Sequence, residues 1–432
     1  MPNTLRMKGY RWVVLGVIIL ASFVAYTLRT NVSIVGESMM TDLGMNEYQL
    51  GLVFSAFAAG YALFQFPGGL IGDKFGPRRT ITAIAILWTV LTIFTAIIPG
   101  ADTWPVAYTV GALALARFLV GASNGPFFPV TIGGSIERWF PASQWGLPNG
   151  LSSTGLTLGA AATAPIVAWL MELYGWRNAL LITAPAGLFA AFAYWKFVTD
   201  DPADHPKMSQ AELDFIRSER PPAEHEIEKG AWKLVLKDKN VLLIAASYFC
   251  MNYVFYLFFS WFFYYLVNVR EFSASDAGMF TAAQWILGAV GATVGGFACD
   301  MLVRKLGIRR ATRYQTMTAL ILSGTFLYIG ATSGNVMLTV TALCFSFGFT
   351  QLTEAPMWVA TMGVAGAHSQ AATGVLNTGG NIPGAIGGLM VPLIASLLGW
   401  PAAIISGSLF AFAGAALWLF IRADEPLAEQ VS

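Results

Sequence analysis

Long apolar runs set what this chain can fold into. Residues 12–26 read WVVLGVIILASFVAY, without a charge and without alternation. Stretches of comparable character occur at 11–36, 47–71, 80–99, 105–135, 146–171, 177–199, 241–267, 274–302, 312–332, 336–363, 370–396 and 400–422. About 20 apolar residues suffice to cross a bilayer as a helix. In lipid every backbone polar group needs an internal partner, which leaves helices or closed barrels. Barrel strands alternate over ~10-residue segments, and these runs do not. The fold class expected is therefore an all-α membrane protein with twelve transmembrane helices. Composition agrees, with 56% hydrophobic and 11% charged residues, against about 25% charged in soluble proteins. A net charge of +1 excludes a strongly basic nucleic-acid binder. Cys250, Cys299 and Cys344 all lie in apolar runs and read as small buried residues. The first run follows Arg6, Lys8 and Arg11, as in a cleaved leader, but its length and the eleven later runs favour a first span.

Lysine and arginine orient the spans. With the N-terminus inside, the inner segments carry 21 basic residues and the outer loops two, Arg177 and Arg270. Both termini are expected in the cytoplasm. The longest polar stretch, 200–239, divides an N-terminal six-helix bundle (1–199) from a C-terminal one (240–432). Within this cytoplasmic linker, Ser209 before Ala-Glu-Leu-Asp reads as a helix N-cap.

The halves repeat. Gly150, Thr154, Gly155, Gly175 and Trp176 recur at one constant offset as Gly374, Thr378, Gly379, Gly399 and Trp400. A second repeat joins Gly69-Leu-Ile-Gly-Asp73-Lys74-Phe-Gly76-Pro-Arg78-Arg79 to a segment containing Asp300, Arg304, Lys305, Gly307, Arg309 and Arg310. Parallel repeats are one plan of secondary transporters. Glycines let helices approach closely. Asp73 at a helix end can pair with Arg78 or Arg79 or cap a neighbouring helix. The cluster reads as an inner gate, against the plainer reading of a stop-transfer set of charges.

GGLIGDKFGPRR, with twelve spans in two halves, resembles the signature of the major facilitator superfamily. The finer resemblance is to its anion:cation symporter branch, which carries bacterial aldonate, aldarate and hexuronate transporters. It rests on Tyr26-x-x-Arg29, FSAFAAGYALFQFPGG (54–69), RFLVGASNGPFFP (117–129), ERWFP (137–141), YGWR (174–177), SWFFYYLV (260–267) and LNTGGNIPG (376–384). The resemblance implies that spans 1, 4, 7 and 10 line a central cavity.

A charge at mid-bilayer costs at least ~2.5–3.5 kcal/mol and is functional by default. Arg29, Arg117 and Glu354 are in such positions, all on spans of that set. Their balance is positive and favours anions. Arginine presents a planar fork that suits a carboxylate, so Arg29 is expected to clamp a substrate carboxylate. Tyr26, one turn away, Tyr61 and Asn377 match substrate contacts of the resembling family. Trp358, four residues after Glu354, reads as a wall of the site. Each has a plainer reading as an ordinary aromatic or interhelical contact, and Arg117 can serve coupling or structure. In span 7, Asn252, Tyr253 and Tyr256 fall at helical spacing and read as a polar-aromatic lining, while Trp261, Tyr264 and Tyr265 read as an interfacial belt.

Two departures matter. The branch commonly has Asp before the first arginine, where this chain has Leu28, and Glu seven residues after the second, where it has Asn124. Those carboxylates couple proton movement in the resembling family. Glu354 is the one replacement, read either as the proton carrier or as a salt-bridge partner of Arg29 or Arg117 that substrate displaces. A family glutamine corresponds to Leu156, which favours a less hydroxylated ligand. The first reading is a symporter importing a small organic anion, such as a sugar acid or an aromatic or hydroxy acid, with a proton. The alternatives are an exchanger or uniporter, or sodium coupling. A sensor lacks room for an output domain in the linker, and no Ser/His/Asp set or metal cluster suggests an enzyme. No cofactor, metal or nucleic acid is implied; the partners are substrate, coupling ion and lipid, in a monomer in the cell inner membrane.

Overall fold

A computed structural model describes residues 9–141, 146–218, 235–365, 369–425 and 427. Every regular element among them is helical. By contacts the chain forms two compact units, Met1–Gly44 with Ala59–Glu224, and Met45–Ala58 with His225–Ser432.

The first unit contains α1 (Arg11–Asp42), most of α2 (Glu47–Phe75), α3 (Pro77–Ile97), α4 (Val106–Asn124), α5 (Gly146–Thr183), α6 (Pro185–Phe197) and α7 (Gln210–Ser218). The second contains α8 (Lys239–Tyr264), α9 (Ala274–Leu306), α10 (Ile308–Thr332), α11 (Val336–Gln351), α12 (Glu354–Ala365), α13 (Ser369–Leu398) and α14 (Trp400–Leu417), together with the start of α2. Among the described residues nine helical stretches are long and apolar enough to cross a membrane. One of them, Leu151–Phe197, holds two of the expected spans. The break between those two is at Gly175, whose φ is 78°.

The repeated glycines have a common conformation. Gly76, Gly175, Gly307 and Gly399 all take φ between 77° and 85°, where an L side chain is strained. Each ends one helix and starts the next with almost no loop. Other glycines serve close approach. A Cβ on Gly159 of α5 would lie 2.3 Å from the Phe23 carbonyl of α1. Ser22 and Ser152 share a buried 2.9 Å hydrogen bond along that same contact. Small residues at such contacts are the usual means of packing helices in lipid.

The fourth span, Val106–Trp139, is one spanning stretch in which α4 ends at Asn124 and the chain continues after Gly125 and Pro126 through a π-helical stretch, Val130–Ile136. The tenth, Val336–Ala365, carries a turn at Leu352 and Thr353, after which Glu354 opens α12. One expectation is corrected. Trp261, Tyr264 and Tyr265 are buried, not a lipid-facing belt, because they gather around the Trp400 ring at 5.4–6.0 Å. All three cysteines are buried and free, as expected.

The polar stretch after α6 folds onto the first unit. Asp200 Oδ1 accepts from the Arg78 N–H at the start of α3, at 2.8 Å. Glu212 on α7 accepts from the N–H groups of Tyr10 and Arg11 at 3.0 and 3.3 Å, capping α1. Ser209 caps α7, its Oγ accepting from Glu212 N–H at 3.3 Å. His205 stacks on Tyr10 at 3.9 Å and meets Trp139 edge-on. Its burial first, then Lys207 and Arg78, hold its pKa below the usual histidine value.

Candidate functional site

Two polar clusters occur at the depth of the spanning helices, one in each unit.

In the first, Arg29 is buried on α1 with its guanidinium over two rings, 4.9 Å from the Tyr26 centroid and 4.6 Å from that of Tyr61. Tyr26 is one turn earlier on α1 and its hydroxyl accepts from Nη1 at 3.4 Å. Tyr61 comes from α2, which backbone contact fixes against α4: a Cβ on Gly60 would lie 2.1 Å from the Phe118 carbonyl, and one on Gly125 would lie 3.0 Å from the Tyr61 carbonyl. Cation–π contact of this kind is worth about 0.5–2 kcal/mol per ring and uses no N–H donor. Arg117 on α4 is buried as well, and its Nη2 donates to the Arg29 backbone carbonyl at 2.9 Å. It thereby ties α4 to the α1 backbone at Arg29. Asn124 donates to the Val120 carbonyl of its own helix at 2.9 Å.

In the second, Glu354 Oε1 accepts from the Tyr248 hydroxyl and from the Trp358 indole N–H, both at 2.9 Å. Within its own unit the donors on this oxygen are neutral. Asn252 donates to the Tyr248 carbonyl at 2.9 Å. One turn further, Tyr256 donates to Asn381 Oδ1 at 2.8 Å, and Asn381 donates to the Asn377 carbonyl at 2.7 Å. The glycines of LNTGGNIPG make this possible: a Cβ on Gly380 would strike the Tyr248 ring at 2.3 Å, and one on Gly384 the Tyr256 ring at 2.6 Å.

The structure thus brings Arg29, Tyr26, Tyr61 and Arg117 together, and Glu354 with Trp358, and joins Asn377 to Asn381. Of the partners that hold the second cluster, Tyr256 was readable as part of a polar-aromatic face with Asn252 and Tyr253, whereas nothing in the sequence singles out Tyr248. Tyr253 leaves that face and stacks on Phe410 at 4.1 Å.

The gating residues divide. The surroundings of Gly69 and the side chain of Asp73 lie outside what the structure describes. Lys74 is exposed, 5.3 Å from the Phe75 centroid. Arg78 donates through Nε to the Trp195 carbonyl at 2.8 Å and lies 4.3 Å from the Trp195 ring centroid. Arg79, Asp300 and Arg304 are exposed. Arg309 forms an ion pair with Asp424 at 3.5 Å. Asp200 and Asp424, in Asp-Asp-Pro and Asp-Glu-Pro, are separated by the same offset that relates Gly175 to Gly399. So in each half an aspartate after the last helix meets an arginine at the start of the third. That repeat was visible in the sequence and carries the register of the others. Among the described residues no group of His, Cys, Asp and Glu is placed to hold a metal.

The family model described as Major Facilitator Superfamily matches residues 18–388. The chain is similar to a probable sulfoacetate transporter of Cupriavidus necator, 30% identical over 380 residues, covering 87% of this chain and 85% of the relative. It is also similar to a hexuronate transporter of Bacillus subtilis, 29% identical and covering 93% of each. In fold it resembles a bacterial homologue of the human lysosomal transporter Spinster in an inward-facing, unoccupied conformation, with a TM-score of 0.78 at 15% identity over 96% of this chain and 97% of that one.

Proposed function

The chain belongs to the Major Facilitator Superfamily, and from that premise we propose that it imports a small organic anion together with a proton, through alternating access. That it is an integral multi-pass membrane transporter and not an enzyme follows from the family and its relatives. The proposal adds the substrate, the coupling and the residues. It also adds a 6+6 arrangement with both termini in the cytoplasm, supported by the basic-residue asymmetry and the constant offset between the halves.

The observation that carries the reading is Arg29, a buried guanidinium in a spanning helix held between the faces of Tyr26 and Tyr61. Stacking orients the fork, so its N–H edge meets a carboxylate or sulfonate with little rotamer freedom left to lose. Arg117 holds the backbone beneath it. Glu354 is the proposed proton carrier: ionised, it takes the hydrogen bonds of Tyr248 and Trp358; protonated, it gains a donor of its own and the set must rearrange. Asn377 and Trp358 complete the proposed substrate contacts. Sulfoacetate and hexuronate, named for the two relatives, share an acid group and differ in hydroxyls; in the proposed reading the asparagines and tyrosines of the second cluster choose between them.

The test is the thermal shift of the purified protein against a panel of carboxylates and sulfonates. Ligand at 100 times its Kd stabilises by about 2.7 kcal/mol. One acid class is expected to raise the melting temperature, and Arg29→Ala to lose that shift. A shift that survives Arg29→Ala refutes the clamp. Glu354→Gln in proteoliposomes is expected to abolish pH-driven accumulation while keeping counterflow. One observation favours a second reading: Leu28 is buried and Asn124 is spent on its own helix, so neither position offers a carboxylate. If Glu354→Gln still accumulates substrate under a proton gradient, Glu354 is not the proton carrier; if the unaltered protein shows counterflow but no accumulation under a proton gradient, exchange replaces symport.

A further inference from the structure

The first unit holds a groove of about 490 Å³ that the transport reading does not use. It is bounded by α2, α3 and α4, with Phe64, Phe75, Ala83, Leu87 and Leu119 among its apolar walls and Arg79 at one end. Its volume is more than ten times a water's share of the liquid, about 30 Å³. An apolar lining of this kind does not hold water and offers nothing to a small hydrophilic anion.

Two features give the groove a polarity. Arg79 is exposed, and Lys74 projects beside Phe75, which lines the same end. Thr80, also in the lining, is only 5% exposed, and its hydroxyl makes no hydrogen bond among the described residues. Length gives a second constraint. The α3 wall runs from Arg79 to Leu91, about 18 Å at 1.5 Å per residue. Half of a ~30 Å hydrocarbon core is about 15 Å. The groove is therefore one leaflet deep, charged where a headgroup would be and apolar where a chain would be.

We propose that this groove binds one anionic phospholipid, its acyl chain along α3 and its phosphate at Arg79, with Thr80 as a donor below. Attraction of each cation to an anionic lipid surface is about fivefold in affinity, so Arg79 and Lys74 set the preference over a zwitterionic lipid.

The experiment is native mass spectrometry of the detergent-purified protein after equilibration with mixed micelles of phosphatidylglycerol or phosphatidylcholine. One phosphatidylglycerol is expected to be retained, severalfold over phosphatidylcholine. Ala83→Trp, at an exposed position in the lining, is expected to remove the retained lipid, and Arg79→Gln to lower the preference about fivefold while keeping some retention. Leu87→Trp repeats the block should Ala83→Trp fail to fold. Equal retention of the two lipids by the unaltered protein overturns the proposal. So does retention unchanged in both tryptophan variants, or a dimer mass that either variant abolishes, which would assign the groove to a second copy.

Discussion

Gly379 and Gly380 are adjacent on α13, yet alanine at the two positions has opposite expected effects. A Cβ on Gly379 meets only the Ala245 methyl, at 3.9 Å. Alanine there gains helix propensity of about 0.8–1 kcal/mol and costs nothing in space. A Cβ on Gly380 lies 2.3 and 2.5 Å from two carbons of the Tyr248 ring and 2.9 Å from the Asn252 amide nitrogen. The ring cannot yield cheaply, because its hydroxyl is bound to Glu354 and its backbone carbonyl accepts from Asn252. Overpacking costs about 1–3 kcal/mol. Leaving a buried acceptor of Glu354 without its partner adds about 1–3 kcal/mol. Set against the propensity gain, Gly380→Ala is expected to lose about 1–5 kcal/mol. At about 2–4 °C per kcal/mol for a unit of this size, the melting temperature falls by at least about 2 °C. The assay is thermal unfolding in detergent, with pH-driven uptake measured in parallel. Gly379→Ala is expected to melt at or above the parent and to transport normally, whereas Gly380→Ala loses both stability and proton dependence. Equal melting of the two variants would refute the argument that α13 backs directly onto the Tyr248 ring.

Three further outcomes follow from the first unit and its counterpart. Glu212→Ala removes the cap from α1 and is expected to cost about 0.5–2 kcal/mol, read as a lower melting temperature, while Arg11→Ala, which keeps the cap, costs less. Asp200→Ala is expected to destabilise by a similar amount, about 0.5–2 kcal/mol, but Asp424→Ala by less than about 1 kcal/mol, because its pair with Arg309 is solvent-exposed; equal losses would count against the capping role of Asp200. His205 is held neutral below its unfolded value of about 6.5, so the unfolded chain binds the proton first. Its contribution is full above that value and is lost as pH falls through it toward the folded value. The melting temperature is expected to drop between about pH 7 and pH 5.5, and to drop less in His205→Phe, which keeps the stacking.

Much of the fold is local in origin and was legible for that reason. Apolar runs set the helices, and glycine followed by tryptophan or proline marked where direction reverses. The repeat between the halves identified Gly175 and Gly399 before their shared φ was known. Arg29, Arg117 and Glu354 stood out because charge in lipid is costly. What escaped reading is non-local. In the tenth run the polar stretch Thr350-Gln351-Leu352-Thr353-Glu354, with Pro356 after it, does mark the turn at Leu352 and Thr353; what it does not show is the contact there, where Gly295 of α9 approaches the Leu352 carbonyl. Trp261, Tyr264 and Tyr265 have the composition of an interfacial belt and become core only because Trp400 joins them from α14. Tyr248 is one of several tyrosines in its span, and only the opposing Gly380 and Glu354 show that it is the one bound to the carboxylate.

The caps supplied by Asp200 and Glu212 change where this gene can be divided. The end of the sixth apolar run is the obvious seam, yet a fragment stopped at residue 199 would leave α1 and α3 without their carboxylates. A fragment carried through Ser218 retains both, and Asp238 caps the start of α8 on the other side, accepting from Val241 N–H at 2.8 Å. The caps therefore set the limits of division: an N-terminal fragment has to run through Ser218, and a C-terminal one has to begin no later than Asp238, well beyond the place hydropathy alone would choose.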